Sequence, residues 1–151
     1  MPAFKFRAQA AIDLRRKEYD EAQRTLGQAR RAVAAADEAL TAATQCVAEA
    51  EGLAREALTQ AGDATRRIWH RNWIVRQLQE QARQRQQVAE RQREEQRAAQ
   101  AAMRARQRLR SLERLRDRQW RAHEAQERRT EQRDFDTLAT LRYQGQRSAA
   151  H

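Results

Sequence analysis

His70, His123 and His151 are the three imidazoles of this sequence and Cys46 its single thiol. They stand far apart along the chain, with none of the Cys/His spacings that hold zinc. The four glycines, at 27, 52, 62 and 145, are scattered and form no phosphate-cradling loop. No catalytic constellation, metal or cofactor site is therefore expected. His70 and His123 read as surface residues of helices, and Cys46 as a residue beside a helix seam. What remains is binding chemistry, in three places. Phe4 and Phe6 lie at the front with Arg7, Arg15 and Arg16 close behind. Phe135 and Leu138 lie near the back, among Arg133, Asp136 and Arg142. Trp69 and Trp73 are spaced to share one helix face, with Ile68 and Ile74 beside them. Aromatic and arginine side chains of this kind are the usual anchors of protein–protein contacts.

The elements that must carry these residues are helices. Charged residues make up 34% of the chain, aromatics only 5%, and the mean hydropathy is -1.11, too polar for a compact domain with a deep core. The polar residues are Arg, Gln and Glu, which with Ala and Leu are strong helix formers. Pro2 is the only proline. Ile12, Tyr19, Leu26, Val33, Leu40, Val47 and Ala54 recur every seven residues, and Ala22, Ala29, Ala36, Ala43, Ala50 and Ala57 follow three positions behind. This is an a/d heptad seam, and its period predicts a left-handed supercoil against another helix. Cys46 falls at a g position of this register. Alanine along one line lets the partner backbone approach closely.

Gly62 followed by Asp63 reads as a helix C-cap and the N-cap of the next helix. The expectation is an all-α, long antiparallel two-helix coiled-coil hairpin, a single elongated unit over residues 1–151. Its parts are a helix over about 4–60, a turn at about 60–64, a longer helix over about 64–143 and a flexible tail at 144–151. The second helix carries a sparse apolar stripe of Ile74, Leu78, Val88, Ala99, Ala102, Met103, Leu109 and Leu112. Asp117 with Arg121 and Glu124 with Arg128 are spaced for i,i+4 ion pairs. Folded back, residue i should face about 125 − i, bringing Leu26 to Ala99 and Ile12 to Leu112. The first helix then ends near the level of Trp120. Residues of about 122–143 project past it with Phe135, Leu138, Ala139 and Arg142 unpartnered, and Phe4 and Phe6 lie at the same end. Two roles are open for these apolar groups: a docking surface, or a cap in which they pack on each other. Trp69 and Trp73 are either a hot spot beside the turn or a seal over the end of the seam.

The charge is uneven. Residues 1–62 balance 9 Lys/Arg against 9 Asp/Glu, whereas residues 63–151 carry 22 Arg against 12 Asp/Glu. A basic helix raises nucleic acid as an alternative partner. Residues 79–119 contain no aromatic to stack on bases, which argues against it, so no specific nucleic-acid binding is expected. A parallel homodimer on the first seam is a further alternative, opposed by the Gly62–Asp63 turn; a monomer is expected. No apolar run matches a signal peptide or a membrane span, and a lone cysteine fits a reducing compartment, so a soluble cytoplasmic protein is expected.

The two ends of the chain resemble the FliJ family of the flagellar type III export apparatus. The front matches through Phe4, Lys5, Phe6, Arg7 and Gln9, then Ile12, Asp13, Leu14 and Arg15; the back matches through Glu131, Arg133, Asp136, Leu138 and Ala139. Thr137 departs from the pattern, in which an acidic residue commonly follows the aspartate. The resemblance implies a non-enzymatic stalk, similar to the central stalk of rotary ATP synthases. It implies that the terminal end enters the hexameric flagellar export ATPase, that the export gate membrane protein and export chaperones are further partners, and that the protein works at the inner-membrane face of the apparatus without inserting. Under that reading the ring-binding residues are Phe4, Phe6, Arg7, Arg15, Arg16, Arg133, Phe135, Asp136, Leu138 and Arg142, and Trp69 and Trp73 contact the gate or chaperones. The related stalk of virulence secretion systems is the alternative within the same fold.

Overall fold

The computed structural model describes residues 4–60 and 63–149. Two helices make up the fold: α1 (Gln9–Thr59) and α2 (Ala64–Ala149), the second being the longer. Gly62 lies outside the described residues, but the other half of the turn signal is visible. Asp63 caps α2: its Oδ1 accepts the Thr65 N–H at 3.2 Å, and its carbonyl accepts the Arg66 N–H at 3.1 Å.

Both helix limits differ from the sequence expectation. α1 starts at Gln9 rather than near residue 4, in a turn closed by the Gln9 N–H on the Phe6 carbonyl at 3.1 Å. Phe4 and Phe6 therefore belong to a non-helical lead-in. α2 continues six residues beyond Tyr143 to Ala149. Gly145, the one residue that could have stopped it, does not adopt the left-handed conformation that ends helices.

The packing falls into two units, one of Glu18–Ala105 and the other of Met1–Lys17 with Arg106–His151. Within the first, Leu26 packs with Ala98 and Ala102, and Ala22, Ala29 and Ala99 close around them. Arg30 Nε lies 3.5 Å from Glu95 Oε1, and Gln81 Nε2 donates to Thr44 Oγ1 at 3.0 Å. Each pair joins residue i of α1 to one near 125 − i of α2, so the helices run antiparallel in the register expected from a short turn. Within the second unit, Ile12 is completely buried, Leu109 is buried, and Arg16 reaches Glu113 at 3.5 Å.

Every a and d residue of α1 from Ile12 to Ala57 is buried or half-buried, so the heptad reading of the first helix holds along its length. The stripe assigned to α2 needs correction. Leu78 is 44% exposed and Met103 59%, and neither faces α1. Ile74, Val88, Ala99, Ala102, Leu109 and Leu112 are covered as expected, and the inward lines are completed by Gln81 and Glu95 on one side and His70, Gln77, Gln84, Ala98 and Ala105 on the other. Much of this seam is polar. Glutamine and glutamate stems cover apolar area while their ends reach α1 or solvent, and they are inward because their register places them opposite the alanines. His70 is likewise buried and not a surface residue, and His123 is half-buried. Asp117 pairs with Arg116 at 3.3 Å instead of with Arg121, whereas Glu124 and Arg128 do form the expected pair, at 3.3 Å.

Candidate interaction surfaces

The lead-in segment folds onto α2. Phe4 meets Trp120 edge-on with ring centroids 5.2 Å apart and contacts His123 at 5.5 Å; Trp120 and His123 stack at 6.2 Å. Edge-to-face contacts of this kind add ~0.5–1.5 kcal/mol beyond area burial. His123 Nε2 in turn lies 3.6 Å from Glu127 Oε1. Phe4 and Phe6 are both half-buried, and with Lys5, Gln9 and Arg116 they line a recess of about 430 Å³. The level of Trp120, expected for the end of the first helix, is reached by the lead-in and not by α1, which starts at Gln9.

Phe4 and Phe6 do not join Phe135 and Leu138. From Trp120 and His123 to Phe135 is a further 12 to 15 residues along α2, roughly 18–22 Å at ~1.5 Å per residue. The two aromatic groups expected as one cluster are thus separate features of the same unit. The physical reason is the register: with residue i opposite about 125 − i, Phe4 falls at the level of about residue 121, well short of Phe135.

From Arg128 to Gly145 every residue of α2 is exposed. Phe135 is 65% and Leu138 54% exposed, and Leu141 and Tyr143, which the sequence reading did not single out, are equally bare. The polar groups beside them are largely satisfied locally. Thr130, Thr137 and Thr140 donate to the carbonyls four residues back at 2.8 to 3.0 Å, and Asp136 accepts from Gln132 Nε2 at 3.0 Å. Arg133 and Arg142 have no carboxylate within ion-pair distance among the described residues. Of the arginines expected nearer the front, Arg7 is exposed, Arg15 is half-buried and Arg16 is tied to Glu113.

Beside the turn, Trp69 and Trp73 stack on each other, centroids 5.9 Å apart and 5° from parallel. They do not seal the seam: Trp69 is 58% exposed, and it is His70, edge-on to Trp69 at 5.0 Å, that turns inward. His70 with Ala54, Ala57, Leu58, Ile74 and Val75, and with Arg67 and Arg71 at its edge, lines a recess of about 260 Å³. Ile68, Leu58 and Val75 are also exposed there. So many exposed large apolar side chains near one end of a polar chain mark an interaction site. The signal for it in the sequence was the density of Trp and Ile over residues 68–75; the contribution of Leu58 needed the register between helices.

Among the described residues no group of three metal-ligating side chains comes together, and no helix is long and apolar enough to cross a membrane. Cys46 is exposed, beside the seam. A family model described as flagellar FliJ protein matches residues 4–148, nearly the whole chain. No curated protein and no solved structure matches it. With two helices in the expected antiparallel register and a family match from the first aromatic to the end of α2, this chain belongs to the FliJ family and is a component of the flagellar export apparatus.

Proposed function

We propose that the protein is the non-enzymatic coupling stalk of the export ATPase complex, and that the unit holding the chain termini inserts into the hexameric ATPase ring. The observation that carries this reading is the bare end of α2: 18 consecutive exposed residues, Arg128 to Gly145, with Phe135, Leu138, Leu141 and Tyr143 unpartnered. A helix gains nothing by holding such side chains in water unless a partner covers them. A ring channel buries the apolar groups while Arg133 and Arg142 meet acidic or polar groups on its wall. Phe4 and Phe6, with Arg7, Arg15 and Arg16, form a second contact belt where the paired part of the unit begins, with Phe4 held in place by Trp120. Asp136 contributes a polar contact on the first belt. The Trp69 and Trp73 patch is the docking site for the export gate or for export chaperones. The protein then acts in the cytoplasm, peripheral to the membrane.

The test is stimulation of the purified export ATPase by full-length variants. Replacing Phe135 and Leu138 with Ala should leave helical content unchanged and remove most ring binding and stimulation. Replacing Trp69 and Trp73 with Ala should leave both intact. The opposite pattern would show that the turn, and not the termini, meets the ring.

A further inference from the structure

Arg114, Arg118 and Arg121 follow one another at i, i+4 and i+7 on one exposed face of α2, and with Ser111 and Asp117 they line a surface recess of about 440 Å³. The surrounding stretch is the most basic in the protein: eight arginines between residues 104 and 121, against Glu113 and Asp117 alone. Both carboxylates already have an arginine partner from outside the row. Glu113 is held by Arg16 at 3.5 Å, and Asp117 by Arg116 at 3.3 Å. Among the described residues, Arg114, Arg118 and Arg121 therefore border the recess without an ion pair of their own, although Asp117 also borders it. Three guanidinium groups held along about 10 Å of helix repel one another, and an anionic partner relieves that repulsion.

We infer that this arginine row is a docking site for an acidic α-helical segment of a protein partner, whose carboxylates at helical spacing pair with Arg114, Arg118 and Arg121. The planar guanidinium fork matches a carboxylate in two parallel hydrogen bonds, and arginine loses little orientation freedom in making them. A helix presenting acids at i, i+4 and i+7 repeats the spacing of the row. Nucleic acid fits less well: no aromatic lies between Trp73 and Trp120 to stack on bases. An anionic bilayer also fits poorly, because the apolar residues of this stretch, Leu109 and Leu112, are turned inward and leave no apolar face to lie in a membrane. Arg114 and Arg121 share the seven-residue line of Phe135, and 14 to 21 residues, roughly 21–32 Å of helix, separate them from it.

The experiment uses the full chain and a fluorescent alanine-based peptide carrying glutamates at i, i+4 and i+7, titrated at physiological salt. The triple variant R114Q/R118Q/R121Q is compared with R85Q/R93Q/R97Q, which removes the same charge from exposed arginines elsewhere on α2, with circular dichroism confirming that both stay helical. The row variant should weaken peptide binding by about tenfold or more and the control by less than about twofold, as expected for paired rather than diffuse charge. The variant R114K/R118K/R121K should fall between wild type and the glutamine variant, because it keeps the charge and loses the fork. Equal weakening by the two glutamine variants would overturn the proposal in favour of bulk attraction. Tighter binding of wild type to duplex DNA or to phosphatidylserine vesicles than to the peptide would overturn the assignment of the partner.

Discussion

Gly52 offers a test of where the chain turns. It lies inside α1, it does not have a positive φ, and a Cβ built on it meets nothing within 4 Å. Alanine at that position then adds no clash and removes only the backbone freedom that glycine loses on entering a helix. That difference is about 0.5–1 kcal/mol in favour of the folded state. For a chain of this length it corresponds to a rise in Tm of roughly 2–4 °C per kcal/mol. Thermal and urea melts followed by circular dichroism at the helical band would read the gain, with the denaturant slope unchanged because the same surface is exposed on unfolding. Gly27→Ala is a useful companion. Its Cβ would lie 3.6 Å from Arg31 Nη1, ordinary contact with the far end of a flexible side chain, so the same sign and size are expected. A destabilised Gly52→Ala would refute the reasoning. It would mean that residue 52 holds a left-handed conformation in solution, where alanine is strained, and that the chain turns there and not at Asp63. Amide exchange separates the two cases directly, since a continuous α1 protects the amides on both sides of residue 52.

Two further substitutions probe the cap and the polar seam. Asp63→Ala should cost about 0.5–2 kcal/mol, because the Thr65 N–H loses the carboxylate that caps α2, and exchange at the start of α2 should rise first. Gln81→Leu should be neutral or stabilising by about 1 kcal/mol in urea melts: burying the leucine gains ~1.5–3 kcal/mol and losing the bond to Thr44 costs ~0.5–1.5. Thr44 is not stranded, since its hydroxyl also donates to the Leu40 carbonyl at 2.9 Å.

Local chemistry determined most of the secondary structure. One proline and an excess of Ala, Arg, Gln, Glu and Leu leave helix as the only regular choice. The seven-residue spacing from Ile12 to Ala57 then dictated which face of α1 would be covered, since a helix can bury only one stripe. Asp63 marked the start of α2 because a helix N-terminus needs an acceptor for its free N–H groups. The apolar residues of α2 were only a partial guide to its buried face: Ile74, Val88, Ala99, Ala102, Leu109 and Leu112 are covered as expected, and the rest of that face is polar. Read by hydrophobicity, that helix offers Leu78 and Met103, yet it turns Gln81, Glu95 and His70 toward α1. The choice was made by register: once the turn and the stronger seam of α1 are set, the residues opposite are buried whatever their polarity, and the alanines of α1 leave room for long polar stems. The placement of Phe4 was equally a tertiary matter. Nothing within residues 1–20 says that helix formation waits until Gln9, or that a ring freed from the helix will settle on Trp120 and His123, more than 100 residues away in sequence. That contact exists only because the antiparallel pairing brings the end of α1 to that level of α2, and the same pairing leaves Phe135 and Leu138 without a covering helix.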